Sequence, residues 1–283
     1  MEIKVAQQNA YQLIEQLSWQ EVRERAWDKK AEAFGTLSKW IMRPNPREIQ
    51  ITYEEKRYEP FWHVACRTHH VYDRTRQYKI TVGSQHVQRV TIQGVDYTPV
   101  VEGTTAQVTL QGVEHCREDN RRVALVHGTT GEPGPYEQYL DKPKQPINVG
   151  EWNPENTIVV PPEVRASGVV RQLLSQLIKP VDADQIFEEE VVVENVDLYF
   201  RPIYAFEYHW AAKAKQAVIE LDGLTGEVRK DGKAVRVELD KVMNRDLLFD
   251  VGAEAANLFI PGGGIAVKAV QHFSAPSSKP QTP

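Results

Sequence analysis

Apolar residues recur at helical spacing in two segments of the chain and alternate with polar residues in most of the others. In residues 19–41 they return every three or four positions, and Ser18 with Glu21 forms the S-x-x-E pattern of a capping box. This pattern predicts a helix that ends before Pro44. A second helix is predicted between Pro161 and Pro180, because this segment carries a broad apolar stripe and proline is favoured in a first helical turn.

Strand-like runs follow each predicted helix. They cover 49–53, 61–72, 87–93, 106–116 and 121–126 after the first helix, and 190–200, 203–210, 217–221 and 234–239 after the second. Between the two groups, residues 133–162 contain seven prolines. Proline at this density is excluded from helix interiors and central strands, so the segment is predicted to be a connector.

The two groups of strands are similar in sequence. "YEPFWHVACRTHH" matches "FRPIYAFEYHWAA", with Pro60 opposite Pro202, and "VALVHGTTGE" matches "VIELDGLTGE". The first match is offset by 142 residues and the second by 95, so the first copy holds 47 more residues, which lie between about 75 and 118. An internal duplication with a hairpin inserted in the first copy is the simplest explanation.

The sequence therefore predicts an α+β fold made of two tandem repeats, each a helix packed on an antiparallel sheet. The first repeat is enlarged by the inserted hairpin, and a helical segment closes the chain. The predicted division is 1–132 (N-terminal helical segment and first unit), 133–160 (connector), 161–240 (second unit), 241–273 (C-terminal helical segment) and 274–283 (disordered tail).

The repeated turn carries two glycines in each copy, Gly128 and Gly131 in the first and Gly223 and Gly226 in the second. Glycine supplies the positive φ that tight hairpin turns need. A glycine-rich loop can also hold phosphate, but that requires a helix N-terminus, and predicted strands flank both turns. The turns are therefore interpreted as structural, with His127 in the first copy where the second has an aspartate.

The apolar strand followed by D-G-x-T-G-E-V resembles the closing hairpin of PepSY-type domains. The resemblance covers Ile203–Arg229 well and Phe61–Glu132 more loosely. It implies a small helix-plus-antiparallel-sheet module that binds or restrains a partner rather than catalysing a reaction. It carries no catalytic residue, and such domains usually lie outside the cytoplasm.

Composition narrows the class of protein. The 283 residues are 41% apolar and 26% charged, as in soluble globular proteins, and the net charge of −5 argues against a nucleic-acid partner. The N-terminus lacks the pattern of a signal peptide, and the uncharged run 255–267 is too short for a transmembrane segment. Two cysteines suit a reducing compartment, so the expected location is the cytoplasm.

The strongest candidate chemistry is a metal site. Cys66, His70, His115 and Cys116 are residue types that bind zinc, although their spacing matches no known zinc motif. Side-chain alternation places Cys66 and His70 on one strand face, and Cys116 falls in phase with it if Gly112 makes no bulge. Buried free thiols, a Cys66–Cys116 disulfide and a zinc site remain the three alternatives, with packing favoured.

Charge and glycine patterns add three further candidates. The basic, aromatic hairpin 67–76 is opposite in charge to an acidic segment, 182–197, and the two could attract each other within one chain or between chains. The glycines of 260–268 precede a predicted short helix and could hold an anion, although a flexible joint is favoured. The apolar helices predicted in 247–273 could cover a sheet face, a partner or a membrane surface.

No nucleophile elbow, H-E-x-x-H helix, dinucleotide fingerprint or kinase loop occurs in the sequence. The preferred hypothesis is a non-enzymatic binding or assembly module that contacts a protein partner or a second copy of itself. One alternative is a zinc-binding protein or metal-dependent enzyme centred on Cys66, Cys116 and His70. The other is a membrane-surface adaptor that acts through residues 247–273.

Overall fold

The computed structural model describes residues 2–34, 46–230, 232, 234–235, 243–251 and 266–267. The protein is a mixed α+β fold that consists mostly of strands and contains one large sheet. Several predicted features lie outside the described residues: the helix beyond residue 34, the strand at 236–239, most of the segment 247–273 and the tail 274–283.

The helices are α1 (Trp19–Lys29), α2 (Glu137–Leu140), α3 (Ala166–Leu177) and α4 (Arg245–Phe249), and 3-10 turns cover Lys30–Glu32, Pro46–Glu48 and Ala211–Lys213. The strands are β1 (Glu2–Val5), β2 (Gln8–Leu13), β3 (Ile49–Ser84), β4 (Val90–Ile92), β5 (Val95–Tyr97), β6 (Val100–Glu102), β7 (Thr105–His127), β8 (Lys144–Pro146), β9 (Ile158–Val159), β10 (Gln185–Trp210), β11 (Lys215–Asp222), β12 (Val228–Lys230) and β13 (Ala266–Val267). The capping box at Ser18 and Glu21 is formed as predicted.

The main sheet has eleven strands, and its antiparallel path runs β12-β11-β10-β3-β7-β6. On the edge of β10 opposite β3, strands β1, β2 and β11 pair with successive parts of β10. Strands β1 and β2 run parallel to β10. Strand β8 pairs antiparallel with β2, and β9 pairs parallel with β3. Strands β4 and β5 form a separate hairpin. Strands from both predicted units therefore pair in one sheet.

The two long central strands are longer than predicted. Runs 49–53 and 61–72 belong to the single strand β3, and 190–200 and 203–210 belong to β10, although each strand contains a proline. Pro60 lies where the neighbour of β3 changes from β9 to β7, and Pro202 lies where that of β10 changes from β2 to β11. A missing N–H costs little at a gap between two neighbours, so neither proline ends its strand.

Two apolar cores lie on one face of the sheet, each beneath one of the two longer helices. Helix α3 precedes β10 in the chain but packs on β3 and β7, where its Leu173, Leu174 and Leu177 join a core with Trp62 and Cys66. Helix α1 precedes β3 but packs against the hairpin of β10 and β11. Each helix therefore covers strands from the other half of the chain.

A third core lies on the opposite face, and the proline-rich connector supplies part of it. Tyr136 directly precedes α2 and Tyr139 lies within it, and the ring of Tyr136 stacks on Phe61 with centroids 4.6 Å apart. Tyr199 stacks on the same Phe61 ring at 5.0 Å. The connector also provides β8 and β9, so it is a structural part of the sheet edges, where proline is tolerated.

Helix α3 begins later than predicted, at Ala166 rather than at the Pro161–Pro162 pair. The preceding residues are held in an extended form by bonds to the rest of the protein. The amides of Glu163 and Val164 both donate to the carbonyl of Gly128, and the indole N–H of Trp62 donates to the carbonyl of Val164. These contacts delay the helix because they occupy backbone groups that a first turn would use.

The two glycine turns have the same hydrogen bonds. Gly128 N–H donates to Pro60 O at 2.8 Å, and Gly223 N–H donates to Pro202 O at 2.9 Å. The later glycines, Gly131 and Gly226, have φ values of +75° and +72°. Strands β11 and β12 flank the second turn, whereas the first lies between β7 and an isolated bridge of Val126 with Pro133. The tandem repeat of the whole units stays a prediction.

Beyond Asp73, β3 loses its pairing with β10 but continues beside β7. We call residues 74–113 the arm: it contains the end of β3, the hairpin of β4 and β5, strand β6 and the start of β7. The register between β3 and β7 is regular from residue 61 to 81, so Gly112 makes no bulge. The arm occupies the region where the sequence places its extra residues.

Gly128→Ala should destabilise the protein by about 1–3 kcal/mol, because an added Cβ overpacks the turn. That atom would lie 2.6 Å from Pro60 Cβ and 2.9 Å from the Pro60 carbonyl oxygen. The free energy of unfolding in urea measures the effect. Gly168→Ala in α3 is the matched control, since no atom lies within 4 Å of its added Cβ. The control should stabilise by roughly 0.5–1 kcal/mol, and equal losses in both variants would contradict the steric explanation.

Candidate functional site

A network of buried charges lies between the central strands, on the face opposite α3. Arg201 donates to Glu59 at 2.8 Å, and Arg57 donates to the other oxygen of Glu59 at 2.9 Å. Arg57 also bonds to Glu55 at 2.7 Å and to Glu220 at 2.6 Å. The arginine side chains are only 2% and 3% exposed, so these bonds compensate the loss of their hydration.

The electrostatics agree with this pairing. Burial alone would raise the pKa of Glu59, but the positive charges of Arg201 and Arg57 outweigh burial and hold that pKa below its usual value. Burial and a hydrogen bond to Asp222 raise the pKa of Tyr139 to about 12, so its hydroxyl stays a donor to the Asp222 carboxylate. The network joins β3, β10 and β11, and we interpret it as structural.

Glu59→Gln should destabilise the protein by about 3 kcal/mol, because it leaves two buried arginines without their shared negative charge. Thermal or urea unfolding measures the loss. Asp96→Asn removes one charge from the exposed Arg89–Asp96 pair on the arm and is the control. It should change stability by less than about 0.5 kcal/mol. A comparable loss in both variants would show that burial does not decide the effect.

The candidate zinc residues are spread along the hairpin of β3 and β7. Cys66 is fully buried and lies opposite Arg122, whereas Cys116 lies opposite Tyr72, six residues further along β3. At the usual rise per residue the two thiols are separated by roughly 20 Å. Both cysteines are free in the structure, and burial raises the pKa of the Cys66 thiol to about 12.

The two candidate histidines lie on opposite faces. His70 faces α3 and is buried. The exposed His115 forms a hydrogen bond between its Nδ1 and Oδ1 of Asp73, which are 2.7 Å apart. Among the described residues, no group of three or more His, Cys, Asp or Glu side chains is arranged to hold a metal ion. Zinc at Cys66, His70, His115 and Cys116 therefore stays a prediction.

The basic hairpin and the acidic segment meet within the chain. Strand β3 pairs with β10 from residue 49 to residue 73, which brings Arg67 within 3.2 Å of Glu190 and 3.3 Å of Glu194. Arg76 binds Asp182, and His69 contacts Glu188 at 3.2 Å. Much of the positive charge seen in the sequence is thus paired inside the protein.

A polar pocket of about 540 Å³ opens where the hairpin meets the C-terminal end of α3. We call it the basic pocket; its lining residues are His70, Tyr72, Arg74, Glu118, Asn120, Arg121, Arg122, Gln176, Leu177, Lys179, Pro180, Val181 and Asp182. His70 is the candidate site residue that it contains. The strands supply one wall, because even-numbered residues of β3 and β7 share the face on which α3 packs.

The sequence did not single out Arg122 and Lys179, which line this pocket from β7 and from the end of α3. Arg122 lies in the short motif "RRVALV", and its direction follows from the strand alternation that also predicts the Cys66 face. Lys179 could not have been placed, because only the packing of α3 on β3 brings it to the hairpin.

His127 occupies the turn position that Asp222 holds in the second turn. Its Nδ1 accepts hydrogen bonds from the amide of Thr129 at 3.2 Å and from the Thr129 hydroxyl at 2.8 Å. Asp222 similarly accepts from the amides of Leu224 and Thr225. Burial lowers the pKa of His127, so the folded protein keeps the neutral ring that can accept these bonds.

No protein-family model matches the chain, and comparison with curated proteins and with solved structures gives no significant match. The resemblance to PepSY-type domains therefore stays a prediction. None of the helices in the described residues is both long enough and apolar enough to cross a bilayer.

The unfolding free energy should fall as the pH drops from 6.5, the ordinary pKa of histidine, to values below the lowered pKa of His127 in the folded protein. In this window the unfolded chain binds a proton that the folded protein does not, which favours unfolding. His127→Asn keeps a side-chain acceptor but cannot titrate. The difference in stability between wild type and this variant, measured by urea unfolding at several pH values, isolates the effect. A pH-independent difference would contradict it.

Proposed function

We propose that this protein is a non-enzymatic assembly module that associates with a second copy of itself through the arm. The observation that carries this proposal is the unpaired edge of β3. In the described residues, no strand pairs with the outer edge of β3 after Asp73, although β3 continues to Ser84. The amide of Thr75 donates to the Asp184 carboxylate, and beyond it the edge presents free backbone N–H and C=O groups to another strand.

The sequence of this edge favours strand addition. Residues 77–84, "QYKITVGS", contain a single charged residue, Lys79, and include Tyr78, Ile80 and Val82, which have high strand propensity. Soluble proteins usually protect an exposed edge with several charges, a proline or a bulge. A register irregularity lies at the end of this edge, between Thr81 and Ser84, and over residues 77–81 one lysine gives weak protection.

The arm also concentrates exposed apolar side chains. Six large apolar residues that are at least 40% exposed lie on it: Tyr78, Ile80, Val95, Val100, Val101 and Val113. Grouped exposed apolar side chains are typical of an interaction surface. They add an apolar component to the backbone hydrogen bonds of a paired edge.

A second copy is the preferred occupant because two identical edges can pair antiparallel about a two-fold axis. This arrangement uses the same residues on both chains and closes after two copies, which is the commonest symmetry of soluble assemblies. The preference for assembly over catalysis rests on the sequence, which contains no nucleophile elbow, H-E-x-x-H helix, dinucleotide fingerprint or kinase loop. Cytoplasmic location and the PepSY-like binding role are parts of the same proposal.

The proposal includes an ancestral tandem repeat. It is supported by the matching bonds of the two turns and by the pairing of β3 with β10. Pro60 pairs with Phe200, and Pro202 pairs with Tyr58. Exchanging the two sequence copies exchanges these two pairs, so the pair of Glu59 and Arg201 lies at the centre of an approximate two-fold relation. A duplicated unit that paired with its own copy would have this register.

Analytical ultracentrifugation over a concentration series tests the self-association. We expect a monomer–dimer equilibrium in the wild type, weakened at least about tenfold by Ile80→Glu, because two like charges would face each other across a small interface. Val123→Glu is the matched control, since Val123 is an exposed valine of β7 outside the arm. It should leave the equilibrium unchanged.

A wild type that stays monomeric at its highest soluble concentration would overturn the proposal, as would equal dimerisation of the Ile80→Glu variant. Hydrogen exchange locates the interface independently. Amides in residues 77–84 should become more protected as protein concentration rises, whereas those of β12 should not change.

A further inference from the structure

The basic pocket is separate from the free edge of β3, and its size suits a small molecule. Its volume of about 540 Å³ lies within the usual range of small-ligand sites. The wall is mostly polar, with apolar contributions from residues such as Tyr72 and Leu177. A cleft of this character fits a polar ligand better than an apolar one.

Most charged residues of the lining already have partners. Arg74 donates to Glu114 at 2.5 Å, and Arg121 donates to Glu194 at 2.6 Å. Asp182 accepts from Arg76.

Two cations differ from these. Within the described part of the chain, the side chains of Arg122 and Lys179 make no hydrogen bond or ion pair. They lie on different elements, β7 and the end of α3, so they can act on one group from two directions.

The strand face that forms the pocket wall carries two buried polar atoms without a partner. Nδ1 of His70, a side chain that is 6% exposed, makes no hydrogen bond, and neither does Oγ1 of Thr68, which is 1% exposed. The two residues are neighbours on that face, two positions apart on β3. A buried polar atom without a partner is costly, and His70 itself lines the pocket.

We propose that the basic pocket binds the phosphoryl group of a small phosphate monoester. A phosphoryl dianion offers several acceptor oxygens, which suits the forked guanidinium of Arg122, the ammonium of Lys179 and an N–H of His70. The pocket is larger than a bare phosphate ion needs, so the remaining space accommodates the organic part of the ester.

The carboxylate in the pocket defines that organic part. Glu118 lies opposite His70 in the strand register and accepts from Asn120 at 2.7 Å. It repels a second anionic group but can accept a hydrogen bond from a hydroxyl. The ligand is therefore a monoester with one phosphoryl group and a short hydroxylated chain.

Isothermal titration of the full chain with glycerol 3-phosphate and, separately, with inorganic phosphate tests the site. We expect saturable binding of the ester with one site per chain and weaker binding of phosphate. Arg122→Gln and Lys179→Gln should each weaken ester binding by about tenfold or more, the usual effect of losing one charge-assisted hydrogen bond. Arg117→Gln removes the same charge from the opposite face of β7 and should leave binding within about twofold, since screening is strong at that distance.

Equal affinity for phosphate and the ester would still support phosphoryl recognition, with the free anion as the source. Absence of saturable binding by either probe, or binding that neither Arg122→Gln nor Lys179→Gln weakens, would overturn the proposal. His70→Asn, checked for folding by circular dichroism, should also weaken the ester. Ile80→Glu should bind the ester normally, so this outcome is independent of self-association.

Discussion

The pairing of β3 with β10 around Glu59 and Arg201 is the constraint on which the rest of the structure depends. These two residues lie opposite each other in the longest strand pair, and the same carboxylate also binds Arg57. A buried ionic network is satisfied only when its members hold one geometry, because a shift of the strands would leave buried charges without partners. The network therefore favours one register between β3 and β10. Backbone pairing alone, in flat and regular strands, would allow the register to slip.

That register determines where the candidate sites lie. Because β10 begins at Gln185, opposite Asp73, the rest of β3 extends past it and forms the arm with β7. The acidic residues just before and within β10 reach the basic residues of the hairpin and neutralise them. The cations left over, Arg122 and Lys179, lie beside the last turn of α3. The arm and the basic pocket are thus two consequences of one strand alignment.

The two halves differ in chemistry at equivalent turn and strand positions. His127 and Asp222 both accept backbone amides within a glycine turn, yet only the aspartate also belongs to the buried charge network, through Tyr139 and Arg201. Glu59 and Arg201, at matching places in the two sequence copies, have opposite charges and bind each other. The two turns thus share their backbone hydrogen bonds while the side chains at these positions differ.

The sequence by itself determined the elements that depend on local chemistry. Alternation in β3 predicted that Cys66 and His70 share one face, the capping box predicted the start of α1, and the glycine turns were recognised from the need for positive φ. The α+β class follows from the same patterns, whereas the joining of the strands into one large sheet does not. Such features depend on neighbours within a few residues, so they can be identified in one chain.

The sequence did not reveal which segments meet. Strands β1 and β2 were missed because they are short and are held by their pairing with β10, and Pro60 and Pro202 suggested breaks in strands that continue past them. The separation of Cys66 from Cys116 and the meeting of Arg122, His70 and Lys179 depend on strand register and on α3 crossing onto the other half. Only the tertiary structure decided these points, because they arise from packing and charge pairing between residues fifty or more positions apart.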